Sequence, residues 1–328
     1  RPVYLDAFLE DATELDVDAL CDTEECYVGA VLEHIEECGI HSGDSACCWP
    51  PFSLSEKIVD QIRAITKKLA LACGIRGLLN IQYAVRDEHV FVIELNPRAS
   101  RTVPFSSKAT GVSLAKYASR IMAGEKISEL RNEGILPDEK RAVDYYAVKE
   151  AVMPWARFPG ADSILGPEMK STGEVMGIAR TFPAAYAKTR EAVENKLPEQ
   201  GSVFISVCDR DKRAIAPVAM ALENLGYGIY TTGGTAKTLR AAGIDCTTVN
   251  RISDGHPNVV DLMRDKSVSF IINTPHGHEA HSDGAKMRAE AVSQGITCVT
   301  AMSAATALIQ ALAAARKSEP ETFALQDL

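Results

Sequence analysis

Apolar side chains recur at two different periods along this chain, and the period changes with position. EKIVDQIRAITKKLALACG (56–74) has helical spacing and stops at Gly74, which predicts a helix closed by a glycine cap. GLLNIQYAVRDEHVFVIELN (77–96) alternates instead, with one polar interruption, and predicts two strands joined by a tight turn. GVSLAKYASRIMAGE (111–125) returns to the helical period. Residues 149–182 are rich in Pro and Gly and predict an irregular but ordered segment. REAVENKLPEQG (190–201) is charged and contains Pro198, which places a boundary near 195–201 and divides the chain into 1–196 and 197–328.

Beyond that boundary the pattern becomes regular. SVFISVC, YGIYTT, DCTTVN, SVSFIINT and TCVTAM read as strands, and each is followed by a segment of helical spacing. Five βα units in about 125 residues predict an open, Rossmann-like parallel sheet with helices on both faces. Ligands of such sheets sit beyond the carboxyl ends of the strands.

Composition narrows the function. The chain has 328 residues, enough for two domains. A net charge of −9 argues against a general nucleic-acid binder, though small anions can still be held by local basic clusters. No apolar run reaches the length of a membrane span. The nine cysteines form no C-x-x-C pair and read as reduced thiols of a cytoplasmic-type protein. Arg1-Pro2-Val3-Tyr4-Leu5 reads as a strand without an initiator Met, so a piece of a longer chain is expected.

The chemistry concentrates in VFVIELNPRASRTVPF (90–105), where an apolar strand runs into Glu94, Asn96, Arg98 and Arg101. Glu94 and Asn96 are two apart on a strand and share a face. A connecting loop with an odd number of residues, centred on Asp87–Glu88–His89, would set Gln82 opposite Glu94. Ile81, Tyr83, Phe91, Ile93 and Leu95 would then line the other, apolar face. One carboxylate and two amide oxygens are hard ligands that suit Mg²⁺ together with nucleotide phosphates. Arg98 and Arg101 add guanidinium forks for phosphate or carboxylate oxygens. The alternative is a hairpin end with solvated polar groups, and spacing leaves both open.

ELNPRASRTVPF, with VLEHIEECGIHSGDSACCWPP (31–51) and LGPEMKSTGEVMG (165–177), resembles the carbamoyl phosphate synthetase large-subunit family. The resemblance implies the carboxy-terminal part of its second ATP-grasp domain, α+β with a mostly antiparallel sheet. It implies Gln82, Glu94 and Asn96 as ligands of two Mg²⁺ or Mn²⁺ ions, with K⁺ as a further cation, and Arg98 on phosphoryl oxygens and carbamate. Gly39, Ile40, His41 and Ser42 match nucleotide-contacting positions, Glu14 one near the ribose and Leu9 one near the adenine. Ala7 departs from the basic residue common there. The implied reaction is ATP-dependent phosphorylation of carbamate, serving arginine and pyrimidine biosynthesis. Its partners would be a glutaminase small subunit and the amino-terminal part of the large subunit, and an oligomer is compatible. No glycine-rich phosphate loop precedes Glu14, so half an active site and negligible synthetase activity are expected of this piece alone. A biotin-carboxylase-like ligase fits the second half poorly.

In the second half, YTTGGTAKTLRAAGI (230–244) sets threonines and two glycines between a strand and a helix, a place where backbone N–H groups receive anions. Lys212, Arg251, Asn273 and Thr274 also fall at carboxyl ends of strands. Together they resemble the allosteric, methylglyoxal-synthase-like domain of the same family. Ser206, Lys212, Thr232, Thr235, Arg251, Asn273 and Thr274 match positions that contact a nucleotide monophosphate such as uridine or inosine monophosphate. Methylglyoxal synthase chemistry needs a carboxylate in a Gly-Gly-Asp segment. ISDGHPNVVDL (252–262) lacks that pattern despite Asp254 and Asp261, which favours a regulatory pocket. Pro275 and His278 depart from the family pattern, and His276, His278 and His281 read as solvated or phosphate-facing, with a pH-dependent effector affinity as a consequence. A stand-alone nucleotide-binding regulatory module is the alternative for the whole chain.

Overall fold

The structure is a computed structural model that describes residues 3, 9–158, 160–193, 198–275, 283–317, 321, 322 and 324–327. Apart from Val3, the expected opening strand lies outside these residues, as do Ala7, the three histidines 276, 278 and 281, and the junction between 196 and 197.

The first sheet is built from β1 (Thr13–Asp22), β2 (Cys26–His34), β3 (Cys47–Trp49), β4 (Arg76–Arg86), β5 (His89–Asn96), β6 (Tyr146–Val152) and β7 (Gly173–Ala179). Its order is β5-β4-β1-β2-β3-β6-β7, and all six pairings are antiparallel. The helices of this half are α1 (Glu56–Ala72), α2 (Val103–Thr110), α3 (Leu114–Met122), α4 (Ile127–Asn132) and α5 (Phe182–Ala192). Ile58, Val59 and Ile62 of α1 pack on Leu15, Val17, Ile81 and Tyr83, so α1 covers the apolar face of the sheet. Gly74 follows its end with φ +61, where the Ile75 N–H reaches back to Ala70 O at 3.1 Å, as a glycine cap requires.

Two expectations need correction here. Residues 149–182 are not irregular throughout, because β6 runs to Val152 and β7 begins at Gly173. Pro and Gly break only the stretch between them. The β4–β5 connection is a two-residue turn, not an odd one, because Asp87 and Glu88 both take positive φ (50 and 61) and Arg86 pairs with His89. Gln82 still faces Glu94, because a bulge at Gln82/Tyr83 skips Ile93. That extra residue inverts the alternation between its two sides. Val90 and Leu95 pack against the core, while Phe91 (40% exposed) and Ile93 (48%) do not join Leu95 on the apolar face.

The second sheet is β8 (Ser202–Val207), β9 (Gly228–Thr231), β10 (Thr247–Thr248), β11 (Phe270–Thr274) and β12 (Thr297–Val299), all parallel in the order β10-β9-β8-β11-β12. Between and after these strands lie α6 (Lys212–Asn224), α7 (Gly233–Ala241), α8 (Val259–Arg264), α9 (Asp283–Gln294) and α10 (Met302–Ala315). The order reverses between β8 and β11, which opens a crevice at their carboxyl ends. Helix α10 is apolar nearly all round because it is packed on two sides. Ala305, Leu308, Ile309 and Leu312 enter the core of its own sheet. Ala304, Ala307 and Ala311 lie against Phe182, Ala185 and Tyr186 of α5, so the two sheets share a core through this helix pair. No described helix is long and apolar enough to cross a membrane.

Candidate functional site

The face of the first sheet opposite α1 carries the chemistry. Antiparallel pairing sets Glu14, Asp16 and Asp18 of β1 beside Gln82 and Asn80 of β4, and these beside Glu94 and Asn96 of β5. His34 of β2 and Lys149 of β6 continue the same face through Cys47. A polar stripe therefore crosses the sheet, and its exposed end is the end of β5.

There Asn96 Nδ2 donates to Glu94 Oε1 at 2.7 Å, and Arg98 Nη2 donates to Asn96 Oδ1 at 3.3 Å. Arg98 is also held to Ala99 O at 3.0 Å. Gln82, Glu94, Asn96 and Arg98 are thus brought together, as the sequence predicts. Arg101 stands exposed on the following loop. One carboxylate and two amide oxygens on adjacent strand positions fit a hard divalent cation that takes its remaining ligands from water and phosphate.

The loop bearing Arg98 and Arg101 is fixed from below by Asp18, which the sequence reading missed. Ser100 Oγ, Thr102 Oγ1 and Ser106 Oγ each donate to its carboxylate at 2.7 Å, and Asn80 Nδ2 donates at 3.1 Å. Burial, aided by the charge of Asp16, raises the Asp18 carboxyl above its usual range despite these hydroxyls. Beside it, His34 Nε2 lies 2.8 Å from Asp16 Oδ2, and Asn80 Nδ2 donates to Asp16 Oδ1 at 3.1 Å. Burial opposes charge on both partners, but their mutual contact outweighs it, lowering Asp16 and raising His34.

Glu14 is 4% exposed, and its Oε2 accepts the Gly39 N–H at 2.8 Å. It shapes the 39–42 segment from inside the fold, and its carboxylate is already engaged there. His41 receives Gly43 N–H on Nδ1 at 3.0 Å, and Ser42 O accepts from the fully buried Lys149 Nζ at 2.9 Å. Ile40, His41, Ser42 and Leu9 are partly exposed, while Gly39 itself takes a positive φ of 95. An Asp-x-Asp alternation on an otherwise apolar strand was the available signal for Asp16 and Asp18. It was legible only once β1 was known to be central.

A second site lies in the β8/β11 crevice, a cavity of ≈ 390 Å³. Ser206, Lys212, Thr232, Thr235, Arg251, Asn273 and Thr274 all line it. Thr232 precedes α7, and Gly233 and Gly234 form the first turn of that helix instead of a loop ahead of it. A Cβ at Gly234 would come within 3.4 Å of Lys212 Nζ, so the glycine leaves that ammonium room. Lys212 is paired with Asp209. Asn273 is committed at both ends: its Nδ2 donates to Ser206 O at 2.8 Å, and its Oδ1 accepts from Arg288 Nη1 at 2.8 Å. It therefore builds the wall as much as it faces the space. Pro275 lines the cavity, and so do Cys208, Asp283 and Arg288, which the sequence reading did not select.

Residues 1–130 match the family described as "Carbamoyl-phosphate synthase L chain, ATP binding domain", and residues 214–300 match the "MGS-like domain". A carbamoyl phosphate synthase large chain of Acidobacterium capsulatum is 47% identical over 99% of this chain and 30% of its own length. Proteins named as the C-terminal section of that chain are 46% identical in Aquifex aeolicus and 48% in Methanocaldococcus jannaschii, where the match covers 62% and 54% of their lengths. Among solved structures, a biotin carboxylase domain of a single-chain bacterial carboxylase superposes with a TM-score of 0.44 at 16% identity, over 56% of this chain and 47% of that one. The chain spans about a third of the length of the full large chains it matches. It belongs to the carbamoyl phosphate synthase large chain family.

Proposed function

We propose that this chain supplies the metal and phosphate side of an ATP-grasp ligase site that phosphorylates carbamate, and that residues 197–328 form its nucleotide-effector domain. The convergence of Gln82, Glu94, Asn96 and Arg98 at the end of β4 and β5 carries the reading. Bound Mg²⁺ or Mn²⁺ would neutralise charge on the phosphates of ATP, which is what phosphoryl transfer most requires. Gln82, Glu94 and Asn96 would hold the metals. Arg98 would leave Asn96 and turn its fork to the transferred phosphoryl oxygens or to carbamate. Arg101 adds positive charge at the same mouth. Asp18 keeps both arginines in place through Ser100, Thr102 and Ser106. Ile40, His41 and Ser42 flank the nucleotide, backed by Lys149 and Glu14. The remainder of the large chain and a glutaminase subunit would complete the enzyme, in the cytoplasm, with K⁺ as an accessory ion.

The reading predicts saturable binding of ADP with Mg²⁺ in a calorimetric titration. Glu94→Ala should abolish it, because Asn96 and Gln82 alone offer no charge to a divalent ion. Binding that survives the substitution would refute the metal assignment.

For the second cavity, uridine or inosine monophosphate should bind with the phosphate between Lys212 and the first turn of α7. Lys212→Ala should weaken that affinity at least tenfold, roughly one charge-assisted hydrogen bond. Equal affinity in the variant would move the phosphate elsewhere. The stand-alone regulatory reading accounts for this cavity but not for the stripe of ligands on the first sheet.

A further inference from the structure

We infer that Arg288 is a positioning residue that ties the wall of the effector cavity to the segment holding His41 and Ser42. The inference deepens the effector reading and rests on it. Arg288 sits on α9 and is 2% exposed. Its guanidinium spends three N–H groups on two different halves of the protein. Nε and Nη2 form a two-pronged pair with Asp162 Oδ1 and Oδ2 at 2.7 and 2.8 Å, and Nη1 donates to Asn273 Oδ1 at 2.8 Å. Asn273 in turn holds Ser206 O, so the strand ends β8 and β11 that flank the cavity are tied to the same group.

Asp162 belongs to the irregular stretch between β6 and β7, in the first half of the chain. That stretch closes over the nucleotide-side segment. His41 N–H donates to Gly166 O at 2.9 Å. Asp44 accepts from Lys170 N and Ser171 N at 2.8 Å each, and Ser171 Oγ donates to Gly43 O at 3.1 Å. Asp162 Oδ1 also accepts the Ile164 N–H at 3.0 Å, and Lys170 Nζ returns to Ile164 O at 2.6 Å, so the stretch is braced along its length. Every link from the cavity wall to His41 is a direct hydrogen bond or one short covalent stretch. A planar, fully charged fork held at three fixed points has few alternative arrangements. An anion placed beside Asn273 or Arg288 therefore competes for the donors that hold Asp162, or reinforces them by fixing the wall. Either way the 39–45 segment responds.

The test is amide hydrogen exchange in the full chain, read in peptides covering 39–45 and 162–171. It is run with and without uridine or inosine monophosphate at saturation defined by calorimetry. Asp162→Asn removes the charge and one acceptor. The pair Asp162→Leu/Arg288→Met removes both charges and avoids a lone buried guanidinium, so it stays informative should the single variant not fold. Without nucleotide, Asp162→Asn should speed exchange in 39–45 about tenfold, as a local opening made easier. With nucleotide bound, the unsubstituted chain should change its exchange in 39–45 about threefold, and Asp162→Asn, which lies outside the cavity lining, should bind nucleotide yet lose that response. The paired variant alters the cavity wall and is read only without nucleotide, where it too should speed exchange in 39–45. A purely structural role for Arg288 predicts no nucleotide response in 39–45. Nucleotide binding without such a response, a response retained in Asp162→Asn, or unchanged exchange in both unliganded variants overturns the inference. If neither nucleotide binds the unsubstituted chain, the effector reading fails by itself, and the unliganded comparison still decides whether the Arg288–Asp162 pair holds the 39–45 segment.

Discussion

Asp18→Ala should destabilise the first half of the chain by about 3–5 kcal/mol and release the arginine loop, the largest effect expected from one side chain beneath the site. The wild-type carboxylate accepts four hydrogen bonds in a fully buried place, three from hydroxyls of the loop and its following helix and one from Asn80. Alanine leaves those donors without an acceptor, and each buried unsatisfied group costs roughly 1–3 kcal/mol. Ser100 and Thr102 can turn toward one another, as they already do at 2.7 Å, so the total falls below the simple sum. Both tryptophans, Trp49 and Trp155, lie in this half, so their fluorescence in a urea titration reads its unfolding. Asp18→Asn keeps one oxygen acceptor, and the hydroxyls can accept from its amide, so about half the loss should remain. A midpoint unmoved by Asp18→Ala would show that the loop is held by something other than this carboxylate.

Arg190→Met should cost about 3–5 kcal/mol as well, and its cost should grow as pH rises. Arg190 and Glu150 are each 11% exposed at the side chain, and Arg190 Nη1 lies 3.3 Å from Glu150 Oε1. Removing one member of a buried pair leaves the other uncompensated, which is where figures of this size arise. Burial raises the Glu150 carboxyl, opposed chiefly by Arg190 and then Lys149. Burial and then the charge of Glu150 push the neighbouring Glu36 up to about 8. The sign follows from which state holds the proton more tightly. Both carboxyls keep their protons in the folded protein at pH values where the unfolded chain, near 4.5, has lost them. The contribution of Glu36 is complete below pH 4.5 and is lost as pH climbs toward 8, and that of Glu150 is lost in the same direction. Without Arg190 the Glu150 carboxyl rises further, so the fall with pH becomes steeper. Urea midpoints at pH 5 and pH 8 measure this directly. Glu150→Gln in the Arg190→Met background should recover most of the loss and flatten the slope. A loss equal at both pH values would refute the account.

Part of this protein was fixed by local pattern. Strand and helix periods located the five βα units, α1, α3 and the β4–β5 hairpin, because each buries one face against a neighbour and the spacing of apolar residues records that face. The run ELNPRASRTVPF was likewise legible, since charges and amides at a strand end stand out against an apolar run. The resemblance to a known family added roles that spacing could not assign.

Other features were decided only when the chain closed on itself. The pairing of Gln82 with Glu94 depends on a bulge, which no count of loop residues reveals. The expectation reached that pairing through an odd loop that is not there, and so misplaced Phe91 and Ile93. Asp18 finds its hydroxyls more than eighty residues away, and only a central position for β1 makes a buried carboxylate there sensible. Arg288 offered one faint sign, a charged residue at an inward position of α9 between the buried Ala285 and Ala291. Nothing local could say that its partner would be Asp162, 126 residues earlier in the chain. Periodicity reports which face of an element is buried; what that face meets is set by register, bulges and the packing of one sheet against the next.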